Sequence, residues 1–266
     1  MPIRIGCHTY NWLPYLQKQH REPDPEQILR EIADAGFEAV ELSGHPKELD
    51  DRAKMKRLLG KLRLKCVGMS FHFGGSSPGM EEAKKKARVL ADFGAEKAVL
   101  FDATDWQAAK PASIDGPYRS TPELMDAFAE FVATLGLDAV MHNHLRTNLE
   151  TPEQIDAILP RFKRCGFCLD TGHLIAAGGD PIACIRKYVR LLRHVHLKDV
   201  LLKPDGTFLE FVELGAGNHP YRMEDVLKEF RAVAYDGWLV VEQDQTRSTP
   251  FKSARANREF LRKHGF

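Results

Sequence analysis

Four short stretches of the chain run apolar and then stop on an ionisable side chain: "AVMH" at His142, "FCLD" at Asp170, "HVH" at His196 and "WLVVE" at Glu242. Two imidazoles and two carboxylates make a charge-balanced donor set for one divalent cation. The mix of nitrogen and oxygen suits Mn, Co, Fe or Zn better than Mg or Ca. Four further runs close the same way, on His8, Glu41, His72 and Asp102. Ionisable groups crowded together repel or cost desolvation unless something binds them, and a metal ion is the economical partner.

Such a set must be positioned by elements, and the chain supplies them in alternation. Strand-like runs occupy 3–8, 35–42, 64–73, 93–102, 135–144, 165–170, 193–197 and 235–244. They are near-continuously apolar, as strands covered on both faces are. Helical segments lie between them with recognisable starts. "DPEQILREIADAG" offers Asp24 as N-cap, Pro25 at the first helical position and Gly36 at the end. "TPELMDAFAEFVATLG" repeats the pattern with Thr121, Pro122 and Gly136, and "TPEQIDAIL" with Thr151 and Pro152. Eight β–α units in 266 residues predict a single α/β domain over 1–266, a (β/α)8 TIM barrel. An open doubly wound sheet is the rival, but no G-x-G-x-x-G follows the first strand. In a barrel all eight closing residues converge on one face. The stretches 103–120 and 200–220 read as loops and candidate lids.

The totals exclude other classes. With 38 basic and 37 acidic residues the net charge is +1, which gives no excess for a nucleic-acid backbone. No run approaches the length of a membrane span, and the start shows no signal-peptide pattern. A reduced, soluble, cytoplasmic protein is expected, with homo-oligomerisation left open. "CGFC" at 165–168 reads as buried strand cysteines rather than a redox or zinc half-site. His194, one layer deeper than His196 on the same face, reads as a core histidine. "KKKAR" (84–88) reads as a solvated helix face.

"CLDTGH", "HVHLKD" and "GWLVVEQD" resemble the sugar isomerase/epimerase barrels related to xylose isomerase and to type-2 apurinic endonucleases. "HNHLRTNLETPEQID" and "YDGWLVVEQDQTRSTPFKSA" are similar to the inosose (2-keto-myo-inositol) dehydratase branch of that family. The first half, with "GCHTYNW" and "VGMSFHF", and a shorter loop after strand seven depart from it. The resemblance implies a xylose isomerase-like barrel holding one divalent ion and working on a keto-polyol by removing a proton beside a ketone. In the family, strand five ends in a metal-binding glutamate; here His142 takes its place. A metal-bound imidazole is a poor base, so symmetrical two-base epimerisation loses a partner. Elimination of water needs only one base and one acid, which favours a dehydratase. The alternatives are a keto-sugar or sugar-phosphate isomerase/epimerase and a β-eliminating lyase on 3-keto-glycosides. A damaged-DNA endonuclease needs a fuller histidine set and a basic groove, and a non-catalytic barrel predicts no metal.

The roles follow from the same comparison. Glu242 is expected to work as base as well as ligand, with Glu41, His8 or Lys198 supplying the second group. His173, three residues after Asp170, is carried over as a substrate-polarising histidine or a second-metal ligand. Lys198 and Asp199 are expected to bind substrate oxygens or orient His196, against a strand-to-loop salt bridge. His8, His72 and His144 are expected at the substrate, with Trp106; Trp12, Trp106 and Tyr118 would form an apolar wall.

Overall fold

The structure is a computed structural model that describes residues 3–73, 79–102 and 121–266. Its strands are β1 (Arg4–His8), β2 (Ala39–Leu42), β3 (Lys65–Phe73), β4 (Lys97–Asp102), β5 (Asp138–His142), β6 (Gly166–Asp170), β7 (Leu192–Leu197), β8 (Asp199–Leu202), β9 (Phe208–Val212) and β10 (Trp238–Val241). All but β8 and β9 form one closed barrel in the order β1-β10-β7-β6-β5-β4-β3-β2. Every neighbouring pair around it is parallel. This is the expected (β/α)8 barrel, with most strands shorter than the sequence runs because those runs include turn residues; β7 instead begins one residue before its run. Among the described residues no helix is long and apolar enough to cross a membrane.

The helices start where their caps stand. Asp24 accepts the N–H of Glu26 ahead of the helix Pro25–Asp34. Thr151 and Gln154 form a reciprocal capping box on Pro152–Ile158. The ends of the barrel interior differ in chemistry. Trp238 packs with Ala39, Val67 and Val240, and its indole N–H donates to Glu96. Towards the C-terminal ends of the strands the interior turns ionic: Glu41, His194 and His196 are each fully buried. Barrel interiors are usually filled by branched apolar residues, so an ionic layer marks where the site begins.

The stretch 200–220 is not simply a loop. β8 and β9 pair antiparallel, Asp199 opposite Val212 and Val200 opposite Phe211. The turn between them is "KPDGT": Gly206 sits at φ +83°, and the N–H of Lys203 donates to the carbonyl of Thr207. Asp205 accepts from both the N–H and hydroxyl of Thr207. A Pro-Asp-Gly turn between short apolar runs is a hairpin signal; the run of barrel strands obscured it. The hairpin is held by packing of Val200 and Phe211 on Ile175.

The five cysteines are free; four are buried, and Cys184 is half-buried. Cys165 and Cys168 flank and occupy β6 as core residues, as their sequence context indicated.

Candidate metal centre

Register sets the site. Asp170 lies opposite His196 across β6 and β7, and His8 opposite Glu41 across β1 and β2. His142 closes β5, and Glu242 follows β10 directly. Ligand atoms of His142, Asp170, His196 and Glu242 all lie within 4.8 Å of one another, and all four residues are buried. His142 Nε2 is 3.4 Å from Asp170 Oδ2 and 3.9 Å from Glu242 Oε2. His196 Nδ1 is 2.8 Å from Glu242 Oε2. The His142 ring stacks on Phe101, with centroids 4.3 Å apart.

These atoms fit a cation. His142 Nε2, Asp170 Oδ2, His196 Nδ1 and Glu242 Oε2 are buried and make no hydrogen bond. Buried polar atoms without a hydrogen bond are costly, and here one from each residue lies within 4.8 Å of the other three, the two carboxylate oxygens also within ion-pair reach of Lys198. Two imidazole nitrogens and two carboxylate oxygens are a donor set that a divalent cation suits. Cys168 also brings its sulfur near His142 and His196, but burial holds its thiol far above the usual range and therefore protonated.

Burial opposes charge, and the neighbours decide which groups keep it. Burial pushes His142 down to about 4 against the pull of Asp170, leaving it a neutral donor. His196 is buried too, yet Glu41 and Glu242 outweigh that and push it up to about 10. For Asp170 and Glu242 burial works upward, but Lys198 and the neighbouring imidazoles prevail and hold both carboxyls low. Lys198 likewise stays an ammonium because Asp170, Asp244 and Glu242 outweigh its burial.

Lys198 is fully buried and sits at the centre of this web. Its Nζ is 3.2 Å from Asp170 Oδ2 and 3.2 Å from Glu242 Oε2. It donates to Asp244 at 3.0 Å and to His173 Nε2 at 3.1 Å. Because an ammonium can only donate, His173 must accept through Nε2. His173 therefore turns its accepting nitrogen to Lys198, and its ring lies on His144 with centroids 3.8 Å apart.

A pocket of about 370 Å³ opens beside the quartet and shares Glu242 with it. His8, His72 and His144 line it, together with Tyr10, Ser43, Ser70, Phe101 and Asp244. The His8 nitrogens are both engaged: Nδ1 accepts the Tyr10 N–H at 2.9 Å, which leaves the proton on Nε2, 3.2 Å from Ser70 Oγ. His144 Nδ1 donates to the carbonyl of Leu145 at 2.7 Å.

Three expected residues are placed elsewhere. Glu41 does not line the pocket; it lies fully buried beneath the quartet against His194 and His196. Asp199 is absent from the pocket lining. It accepts the N–H groups of Val200, Gly215 and Gly217 and the ring of His219 at 2.6 Å, so it anchors the 213–219 loop. Any side chain at Gly217 would collide with Asp199 and the Val200 carbonyl. Trp12 is buried in the core and donates to Glu31 at 2.6 Å. Trp106 and Tyr118 lie outside the described residues.

Two contributors went unread. Asp244, two residues beyond Glu242 in the bend that follows β10, lines the same pocket. Burial raises its carboxyl to about 6, with Lys198 pulling the other way. Asn143, between the two histidines of "HNH", bonds both main-chain groups of Asp170.

Barrel and donor set together define a class: a closed parallel barrel whose strand ends on one side gather side chains that could hold a metal ion. The chain belongs to the xylose isomerase-like TIM barrel family, whose family model matches residues 29–264. Among curated relatives, an inosose dehydratase of Clostridium botulinum (strain Alaska E43 / Type E3) is 26% identical, covering 98% of this chain and 96% of its own. Among solved structures, the IOLI protein with a binding zinc atom superposes with TM-score 0.79 at 14% identity, over 98% of each chain. An L-ribulose 3-epimerase superposes at 0.77 with 18% identity, over 99% of this chain and 94% of that one.

Proposed function

We propose that the protein is a divalent-metal-dependent lyase that removes water from a keto-polyol, a keto-inositol or keto-sugar, after abstraction of the proton beside the ketone. Its relatives are named as dehydratases and epimerases, and the chain is an enzyme of the lyase or isomerase/epimerase kind. The observation that carries the dehydratase reading is His142. It stands among the ligands as a neutral imidazole stacked on Phe101, where a second carboxylate base would be needed for symmetrical epimerisation.

His142, Asp170, His196 and Glu242 would hold the ion, with a transition metal (Mn, Co, Fe or Zn) favoured by the donor types. When bound, it supplies Lewis-acid polarisation of a substrate carbonyl. Glu242, the one ligand that also lines the pocket, takes the proton from the acidified carbon. Asp244 faces the same pocket and keeps Lys198 at 3.0 Å; this pair returns a proton to the departing hydroxyl, which leaves as water. His8, His72 and His144 bind the remaining hydroxyls. His173 acts through Lys198, which it holds at 3.1 Å.

The second reading, a keto-sugar isomerase or epimerase, draws on the two carboxylates in the pocket, Glu242 and Asp244. Both follow β10 and line one pocket, an arrangement suited to moving a proton between neighbouring carbons, as an isomerase does. A third, β-elimination on a 3-keto-glycoside, needs the same proton abstraction. Proton NMR in deuterated water with 2-keto-myo-inositol and keto-sugars separates them. Loss of water supports the dehydratase; deuterium uptake without it supports the epimerase; release of an aglycone supports the glycoside lyase.

A further inference from the structure

Beneath the quartet one buried carboxylate faces three imidazoles. Glu41 Oε2 is 2.6 Å from His194 Nε2, and Glu41 Oε1 is 3.0 Å from His196 Nε2 and 3.3 Å from His8 Nε2. Glu41, His194 and His196 are fully buried and His8 nearly so. No water is needed to satisfy the group, and no substrate can reach it.

The chemistry of the contacts restricts where the protons sit. Two of these rings, His194 and His196, are hydrogen-bonded to it, and a carboxyl group carries at most one proton, so at least one of the two must donate to it. His8 stands at ion-pair distance: its Nδ1 accepts the Tyr10 N–H, and its Nε2 proton faces Ser70 Oγ. His196 meets a carboxylate at each nitrogen: Glu41 at Nε2 and Glu242, with the rest of the quartet, at Nδ1. Only one of its nitrogens can be the metal donor, and Glu41 lies on the far side of the ring from the quartet.

We propose that Glu41 is the positioning residue of the metal centre: it accepts the Nε2–H of His196 and so aims the Nδ1 lone pair at the ion. This rests on the metal reading above. A carboxylate behind a ligating histidine fixes ring orientation and tautomer and raises the ring's basicity as a ligand. His194 holds the other oxygen of Glu41, so the carboxylate cannot swing away from His196. His8, 3.3 Å from the same carboxylate, lines the pocket, so the buried group stands beside a pocket ring as well as behind a metal ligand. Glu41 thereby acts without touching substrate, in place of the acid–base role that its strand-end position first indicated.

The test uses zinc as probe and two readouts that do not depend on turnover. In the zinc-loaded chain labelled with nitrogen-15 at histidine, His196 is expected to carry its proton on Nε2 with Nδ1 shifted by the metal. Chelator competition is expected to show zinc bound about 10–100-fold more weakly by Glu41→Gln, because a carboxamide has one accepting oxygen for the two rings that bond Glu41. Asp102→Asn, another buried carboxylate but bonded to Asn148, is expected to keep wild-type zinc affinity. If Glu41→Gln does not fold, the wild-type tautomer decides alone. A proton on His196 Nδ1, or full affinity in Glu41→Gln, overturns the inference while leaving the metal centre in place. A wild-type chain that binds no zinc overturns both.

Discussion

Asn143 grips the main chain of Asp170 with both ends of its amide: Nδ2 donates to the Asp170 carbonyl at 3.1 Å, and Oδ1 accepts the Asp170 N–H at 2.8 Å. This clamp ties the end of β5 to the end of β6, and so ties His142 to Asp170. Asn143→Ala leaves a buried N–H and a buried C=O unpaired. A loss of about 3 kcal/mol in urea unfolding is expected, with weaker metal binding in the folded fraction. A loss under about 1 kcal/mol would mean that the strand ends hold together without the clamp.

Asp199 is expected to be a loop anchor. Asp199→Ala frees the N–H groups of Gly215 and Gly217 and the His219 ring, and Gly217→Ala drives a methyl into the same place. Both should destabilise by about 2 kcal/mol and raise proteolysis at 213–219. Were Asp199→Ala instead to raise KM with stability intact, Asp199 would be a substrate ligand.

Asp102, outside the quartet, offers a pH signature of its own. Burial raises its carboxyl to about 6, with the Asn148 amide pulling the other way; in the unfolded chain it titrates near about 4. Between those values the folded state binds more protons, so stability falls as pH rises through that window. The cost at neutral pH is on the order of 3 kcal/mol. Asp102→Asn can still accept from Asn148 and should be more stable than wild type at pH 7, with the difference vanishing below pH 4. Parallel unfolding curves across pH 4–7 for the two chains would contradict it.

Asp244→Asn tests the proton return. It keeps an acceptor for Lys198 and leaves the four ligand residues intact. Turnover of the keto-polyol should fall by about 100-fold while zinc affinity stays within a few-fold. Unchanged turnover would move the acid elsewhere in the pocket.

The barrel was legible because its signals are local: apolar runs, N-caps such as Asp24 and Thr151, and glycines after helices. The quartet was legible because parallel strands end on one face, so chain position stands in for proximity. What a single strand end does not reveal is depth and direction. Glu41 closes β2 in the sequence list just as His142 closes β5, yet a shift in register between β2 and β3 accompanies it, and its carboxylate turns inward to three rings. Asp199 follows Lys198 directly, but alternation sends the one to the quartet and the other to the loop. Asp244 was hidden for the opposite reason: it lies past the strand, where the run of apolar residues no longer draws attention. The hairpin of β8 and β9 depends on packing against Ile175, a contact that local pattern cannot show.

The central claim is that His142, as much as Glu242, holds a divalent ion. The most direct test is metal content and zinc titration of the purified chain beside His142→Ala and Glu242→Ala. About one Mn, Co, Fe or Zn per wild-type chain is expected, with binding lost in both variants while the barrel stays folded by circular dichroism. A wild-type chain that takes up no divalent ion, or a His142→Ala chain that binds it as tightly as wild type, would contradict the account.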